Sequence, residues 1–448
     1  MSIKSFNLVI KNRTPSFHKT IIVDPDKSIS IRSFLLGAIC QNISIAKNVL
    51  ESEDVLTAIN SLKKLGVKIT RFGSGNYKIF GKGLGSLFIK KNSTLNFGNS
   101  GTLARLLIGI LSTTPNIEVK LTGDHSLKKR NMRKIVDLMS NFGTSFKPKN
   151  KFNFPLKLIS SEIPVGFKYK AGVSAQLKSA VILAGLNSFG VTEVIDQIGS
   201  RDHTENILLN NNKVMKIKKE KKKKKITVYG KNFLNPLKIQ VPGDSSSAAF
   251  FTALTVLNKK SSIKIKNVGL NPTRIGFYNI IKNSGAKIKF SNLKKINNEI
   301  RGDVIARSSK LKKIIAEKNY YVNSTDEYPI LFVIASLTKG KSIFRGIKDL
   351  ANKESNRILQ MQNVLKQIGI KSEATSDQIK IYGKGMINAR DKKINIPNLG
   401  DHRICMSAFI LASLTGAKTS IKNFETVYTS CPSFLKIMKK LGLKFEIH

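Results

Sequence analysis

One pattern recurs six times along the 448 residues: a polar turn, an apolar helix-forming run, a strand, an amphipathic run and a further strand. The apolar runs open at Ser30, Gly101, Ser174, Ser246, Asp326 and Asp401. Their amphipathic partners open at Asp54, Met132, Thr204, Ile275, Arg357 and Ser433, and the first and last end in a Leu–Gly pair. A spacing of roughly 70–80 residues is too long for a solenoid repeat and suits a βαβαββ subdomain. The first helix of each unit is apolar nearly all round and must be covered on every side. The second needs cover on one face only. The pattern predicts an α/β protein of two domains, each an inside-out barrel of three βαβαββ repeats with buried helices and outer sheets. The chain is long enough for two cores. Pro and Gly mark crossings at Val23–Asp26 and Val241–Asp244, so one domain is expected at 23–242 and the other at 1–22 plus 243–448.

Composition narrows the function classes. The hydrophobic share of 41% supports packed cores, and no apolar run is long enough to span a bilayer. The start Met1-Ser2-Ile3-Lys4-Ser5-Phe6 lacks the sustained apolar stretch of a signal peptide. Cys40, Cys405 and Cys431 are odd in number and widely spaced, which fits neither a disulfide framework nor a zinc site. A reduced, cytoplasmic protein is expected. The net charge of +49 would attract polyanions, nucleic acid included. Lys is abundant throughout, however, at positions that read as plain helix and strand surface. The densest cluster, Lys216–Lys225, reads as a solvated hairpin tip and contains no aromatic for base stacking.

The stretch Asp26-Lys27-Ser28-Ile29-Ser30-Ile31-Arg32 shows what the turns offer. Ser28 is a good N-cap, and a helix starting there presents unsatisfied N–H groups beside Lys27. Arg32 lies one turn on, so hydroxyl, ammonium, guanidinium and backbone donors converge as in an anion site. Alone, the heptapeptide fits a capped surface helix with two stray cations equally well. Recurrence favours the anion site: first-helix N-termini collected at one end of each domain, facing a cleft, would trap a polyanionic ligand.

The segments DKSISIR (26–32), NFGNSGTLAR (96–105), GDHSLKKRNMR (123–133) and SAQLKSAVILAGL (174–186) are followed by SRDHTE (200–205) and VPGDSSSAAFF (241–251). DEYPIL (326–331), KESNR (353–357) and DHRICMS (401–407) complete the series. In order, they resemble the signature segments of the 5-enolpyruvylshikimate-3-phosphate synthase family over essentially the whole chain. The resemblance implies two inside-out α/β domains. It also implies transfer of the enolpyruvyl group of phosphoenolpyruvate to the 5-hydroxyl of shikimate 3-phosphate through a tetrahedral adduct. No metal or organic cofactor, no membrane and no specific nucleic acid are expected, and the chain is expected to act as a monomer.

Two phosphorylated, carboxylate-bearing substrates call for cations, and Lys27, Arg32, Arg105, Arg130, Lys178, Arg201, Lys353, Arg357 and Arg403 are the candidates. The resemblance gives Lys27, Ser28, Arg32, Ser174, Ala175, Gln176, Arg201, Asp326 and Lys353 to shikimate 3-phosphate. It gives Lys27, Asn99, Gly101, Arg130, Gln176, Arg357 and Arg403 to phosphoenolpyruvate. The chemistry needs a base for the hydroxyl and an acid for the methylene carbon. The resemblance makes Asp326 the base and Glu354 the acid, with Lys27 beside them. Asp326 also reads as an N-cap of the fifth apolar helix; Glu327 reads as a first-turn dipole partner and His402 as structural. In this family an alanine at the position of Gly101 crowds the phosphoenolpyruvate pocket and excludes glyphosate, so Gly101 implies inhibition by glyphosate. Pro25, Ile31, Asn131 and Asn356 stand where the family usually has Gly, His, Pro and Asp, and Asn356 bears on how Arg357 is held.

Two alternatives remain. UDP-N-acetylglucosamine enolpyruvyl transferase shares the fold but typically carries a reactive Cys in a loop that here, at 123–130, has none. A basic RNA-binding or RNA-end-processing protein would account for the charge but not for Asp326 and Glu354 among the arginines.

Overall fold

The computed structural model describes residues 5–448 except 210, 212, 221 and 222. Met1–Lys4, Asn210 and Asn212 of the third repeat, and Lys221 and Lys222 of the basic cluster lie outside the described residues. The chain divides into two compact lobes. The first comprises Pro25–Val241 with Lys295–Glu299; the second comprises the residues up to Asp24, Pro242–Lys294 and Ile300–His448.

In the first lobe the helices are α1 (Lys27–Ile39), α2 (Glu53–Lys64), α3 (Gly101–Ser112), α4 (His125–Lys129), α5 (Arg133–Ser140), α6 (Ala175–Leu186) and α7 (His203–Leu208). The second has α8 (Ser245–Leu257), α9 (Gly276–Asn283), α10 (Tyr321–Ser324), α11 (Tyr328–Ser336), α12 (Arg357–Gln367), α13 (His402–Thr415) and α14 (Phe434–Lys440). As the apolar pattern requires, every residue of α8, α11 and α13 is buried. In α1, α3 and α6 only first-turn residues and Arg105 escape full burial. The partner helices bury one face: α2 turns Val55, Ala58, Ile59 and Leu62 inward, and α12 turns Ile358, Met361, Val364 and Leu365. Gly109 lets α3 and α6 approach closely, since a Cβ there would stand 2.6 Å from the Ala180 carbonyl oxygen. Each lobe has its own hydrophobic core.

Among the described residues each lobe also carries three four-stranded sheets, and one plan serves those of the first lobe. The outermost strand runs parallel to its neighbour and the remaining pairs are antiparallel, as in Thr94–Asn96, Glu118–Thr122, Leu156–Ile159 and Ser145–Lys147. Some sheets are completed by distant chain. Lys238–Gln240 lies beside Ile43–Lys47, and His18–Ile22 beside Ser262–Gly269. Leu8–Ile10 sits between Lys418–Ile421 and Phe445–Ile447.

Helix starts refine the sequence reading. The N-cap of α1 is Asp26, whose carboxylate accepts from the Ile29 N–H at 2.8 Å, so Ser28 is not the cap but lies within the first turn. A carboxylate one residue before Lys27 reaches the free N–H groups first. Ser100, Ser174, Asp244 and Asp401 cap α3, α6, α8 and α13 with their side chains. Asp326 is not the cap residue: α11 starts at Tyr328, with Glu327 at the cap position and Pro329 in its first turn, and Asp326 occupies the turn after α10. The third repeat's second helix is cut to the six residues of α7. The basic cluster forms the hairpin Met215–Glu220 and Lys223–Tyr229, where Lys223, Lys224 and Lys225 pair with Glu220, Asp202 and Glu193.

Candidate active site

In the first lobe the cations and amides converge on the N-terminal turns of α1, α3 and α6. Gly101 opens α3, and a Cβ on it would stand 2.8 Å from Arg130 Nη1 and 2.9 Å from Arg105 Nη1. Two guanidinium groups thus lean over a residue with no side chain. Arg105 Nη1 donates to the Gly101 carbonyl at 3.1 Å and to Gln176 Oε1 at 2.8 Å, and Gln176 Nε2 donates to Thr102 Oγ1 at 3.0 Å. Arg130 Nη2 donates to Asn99 Oδ1 at 2.5 Å. Two bonded sets, Asn99 with Arg130 and Gln176 with Arg105, therefore flank Gly101 and make up the cluster at the start of α3. Arg105, which the resemblance left without a ligand role, belongs to it; its place one turn along from Gly101 was the available signal.

Lys27 is paired rather than bare, its Nζ 2.9 Å from Asp54 Oδ2 and its side chain partly exposed. Arg32 lies lower. Its Nε donates to Thr204 Oγ1 at 2.8 Å, Nη1 to the Ser28 carbonyl at 3.0 Å and Nη2 to Ser179 Oγ at 3.2 Å. Burial lowers its guanidinium to about 10, against the opposing pull of Asp26 and Glu205. Ser174 caps α6 and Ala175 is its first residue. Arg201 lies on the segment between the strand Val191–Asp196 and α7, half-buried.

Lys178 departs from the sequence reading. Its ammonium is closed to solvent, 2.7 Å from both Asp196 Oδ2 and Glu205 Oε1, and it donates to the Ser200 carbonyl at 2.9 Å. Burial alone would lower it, but Glu205 and Asp196 outweigh burial and raise it. A lysine so enclosed holds the 196–205 segment together and is withdrawn from the anion-binding candidates. His203 is likewise internal, its Nδ1 2.7 Å from Glu299 Oε1.

The second lobe gathers the carboxylates. Arg357, the first residue of α12, donates from Nε to Asp401 Oδ2 at 3.0 Å and from Nη2 to Glu354 Oε2 at 2.6 Å; its Nη1 lies 3.6 Å from Asp326 Oδ1. Burial opposes the charge, but Asp401, Glu354 and Asp326 more than offset it and hold the guanidinium well above its ordinary range. Asn356 caps α12, accepting from the Leu359 N–H at 3.1 Å, so the departure from Asp leaves the helix start intact. Lys353 precedes Glu354 at the end of the 3-10 turn Lys348–Asn352. On α13, Asp401 accepts from the Arg403 N–H at 3.0 Å. The Arg403 side chain is 5% exposed, lies 5.8 Å from the Phe250 ring, and has no hydrogen-bond partner for Nε or Nη1 among the described residues. A buried cation with unspent donors is suited to an anionic ligand. His402 is buried at the start of α13. Glu327 is internal and bonded to Ser246 Oγ. Arg274 was not singled out from the sequence, yet its Nη1 lies 3.6 Å from Asp326 Oδ2.

Residues 12–438 match the family model for EPSP synthase (3-phosphoshikimate 1-carboxyvinyltransferase). The chain belongs to the EPSP synthase family. Among proteins named 3-phosphoshikimate 1-carboxyvinyltransferase, that of Zymomonas mobilis is 34% identical over 442 residues, 98% of this chain and 97% of the relative. That of Paramagnetospirillum magneticum is 36% identical over 426 residues, 95% of each chain. The solved EPSP synthase of Acinetobacter baumannii superposes with a TM-score of 0.84 at 33% identity, covering 99% of this chain and 100% of that one. The enolpyruvyl transferase NikO of Streptomyces tendae, at 11% identity and a TM-score of 0.74, shares the fold.

Membership of the EPSP synthase family favours neither alternative reading. Cys40, Cys405 and Cys431 are all buried, and none lies in the 123–130 loop where the UDP-N-acetylglucosamine relative typically carries its reactive thiol. Among the described residues, no helix is long and apolar enough to cross a membrane.

Proposed function

We infer that the residues gathered in each lobe divide the family reaction between them. As an EPSP synthase, the chain transfers the enolpyruvyl group of phosphoenolpyruvate to the 5-hydroxyl of shikimate 3-phosphate and releases phosphate. In our reading the first lobe supplies Lys27, Ser28, Arg32, Ser174, Ala175, Gln176 and Arg201 to shikimate 3-phosphate. Lys27, Asn99, Gly101, Gln176 and Arg130 bind phosphoenolpyruvate, with Arg105 shaping that pocket. The second lobe supplies Lys353 to shikimate 3-phosphate, Arg357 and Arg403 to phosphoenolpyruvate, and Asp326 and Glu354 to the proton transfers. The cellular setting we propose is the cytoplasm.

The observation that carries this reading is the attachment of both Asp326 and Glu354 to the single Arg357 guanidinium. An anion bound there lies beside an acid and a base at once. The 5-hydroxyl passes its proton to Asp326 as its oxygen bonds to C2 of phosphoenolpyruvate, and Glu354 delivers a proton to the methylene carbon. The adduct then expels phosphate while that carbon returns a proton, leaving the enolpyruvyl ether. An arriving anion that engages Arg357 draws the guanidinium from Glu354, which makes proton donation dependent on binding.

The test is phosphate release from phosphoenolpyruvate with and without shikimate 3-phosphate. Release should require the second substrate and should collapse in Lys27→Met and Glu354→Ala. Release that ignores shikimate 3-phosphate, or persists in both variants, overturns the assignment.

A further inference from the structure

Asp326 stands between two guanidinium groups, one at each carboxylate oxygen. Oδ1 faces Arg357 Nη1 and Oδ2 faces Arg274 Nη1, both at 3.6 Å. The two cations differ in their other duties. Arg357 also serves Glu354 and Asp401 and is assigned to phosphoenolpyruvate, so its hold on Asp326 changes as ligand arrives. Arg274 has no such duty. It is 4% exposed, donates from Nη2 to Ser246 Oγ at 2.8 Å, and lies 3.8 Å from Asp244, the cap of α8. Ser246 in turn is bonded to Glu327, the residue after Asp326. The backbone below is fixed as well: Asn271 Oδ1 accepts from the Thr273 N–H at 2.9 Å, and the Arg274 N–H donates to the Asn271 carbonyl at 2.8 Å.

We propose that Arg274 is a positioning residue, anchored on the α8 start, that holds the Asp326 carboxylate in place while Arg357 is taken up by substrate. This rests on the role given above to Asp326 as proton acceptor. Asp326 stands at neither cap position of α10 or α11, and the two guanidinium groups bracket its carboxylate from both sides. A base displaced by about an ångström loses one to two orders of magnitude in rate.

The experiment is a double-mutant cycle in steady-state turnover of shikimate 3-phosphate, using R274Q, R274K, D326N and the two combinations, with thermal melts alongside. R274Q should lower kcat roughly tenfold to a hundredfold while changing either KM less than about threefold, and R274K should recover part of the loss. In the D326N background R274Q should cost less than about threefold further, because its target is gone. R274K paired with D326N gives the same comparison if R274Q does not fold. An unchanged kcat with only a lower melting temperature overturns the proposal, as does an equal loss in both backgrounds. Either result leaves the functional reading standing so long as the unaltered enzyme turns over. Absence of turnover in the unaltered enzyme overturns both.

Discussion

Arg357 Nε lies 3.0 Å from Asp401 Oδ2, and both side chains are closed to solvent. Ser355 Oγ donates to the same carboxylate oxygen at 2.9 Å, so the start of α12 is tied to the cap of α13. One carboxylate thus caps a helix and sets the angle of the guanidinium assigned to phosphoenolpyruvate. Asp401→Ala removes both functions and leaves a buried cation short of a partner. It should destabilise the protein by about 3–5 kcal/mol and raise the KM for phosphoenolpyruvate, measured by urea unfolding and initial rates. A stability loss under about 1 kcal/mol contradicts the pairing described.

Lys178 is the converse case, a cation whose whole charge is spent inside the first lobe. Lys178→Met strands Asp196 and Glu205 in the core and should cost about 3–5 kcal/mol in urea unfolding. The KM values of the folded fraction should stay close to the original. A large rise in the KM for shikimate 3-phosphate, with stability unchanged, would return Lys178 to the ligand set.

Glyphosate should inhibit competitively with phosphoenolpyruvate, and Gly101→Ala should weaken it. The added Cβ falls within 3 Å of Arg105 and Arg130 nitrogens, so both guanidinium groups must shift. An inhibition constant raised tenfold or more, about 1.4 kcal/mol, is expected with a smaller rise in the KM for phosphoenolpyruvate. Indifference of the unaltered enzyme to millimolar glyphosate counts against this pocket.

Burial pushes the Cys40 thiol up to about 12 and raises Cys405 and Cys431 as well. The unfolded thiols titrate near the ordinary value of 9.0. Above that pH the unfolded chain holds fewer protons than the native one, so the stability these groups confer is full below pH 9 and drains away toward about pH 12. Iodoacetamide at pH 8 should label none of the three cysteines in the folded protein and all of them in denaturant. Rapid labelling of native protein contradicts the burial.

What could be read in advance was whatever depends on periodicity and local chemistry. The all-round apolarity of Ser246–Leu257 and of Ile404–Thr415 demanded burial, and both runs are buried throughout. Competition between neighbouring polar groups was harder. Ser28 and Asp26 both qualify as caps, and only the geometry of the turn selects Asp26. Pairings across long sequence distances were out of reach. Nothing local in Arg274 points to Asp326, in Lys27 to Asp54, or in Lys178 to Glu205. Arg105 was visible as a cation, but its bond to Gln176 depends on how α3 and α6 pack around Gly109.

The strand Leu8–Ile10 is hydrogen-bonded on both sides by chain synthesised more than four hundred residues later, at Lys418–Ile421 and Phe445–Ile447. On the ribosome, therefore, an early apolar segment must wait unpaired while the intervening lobe emerges and can fold. That sheet closes only when the strand Phe445–Ile447 has left the exit tunnel. Deleting Leu8–Ile10 or Phe445–Ile447 should cost the second lobe that sheet, whose strands pack against α13.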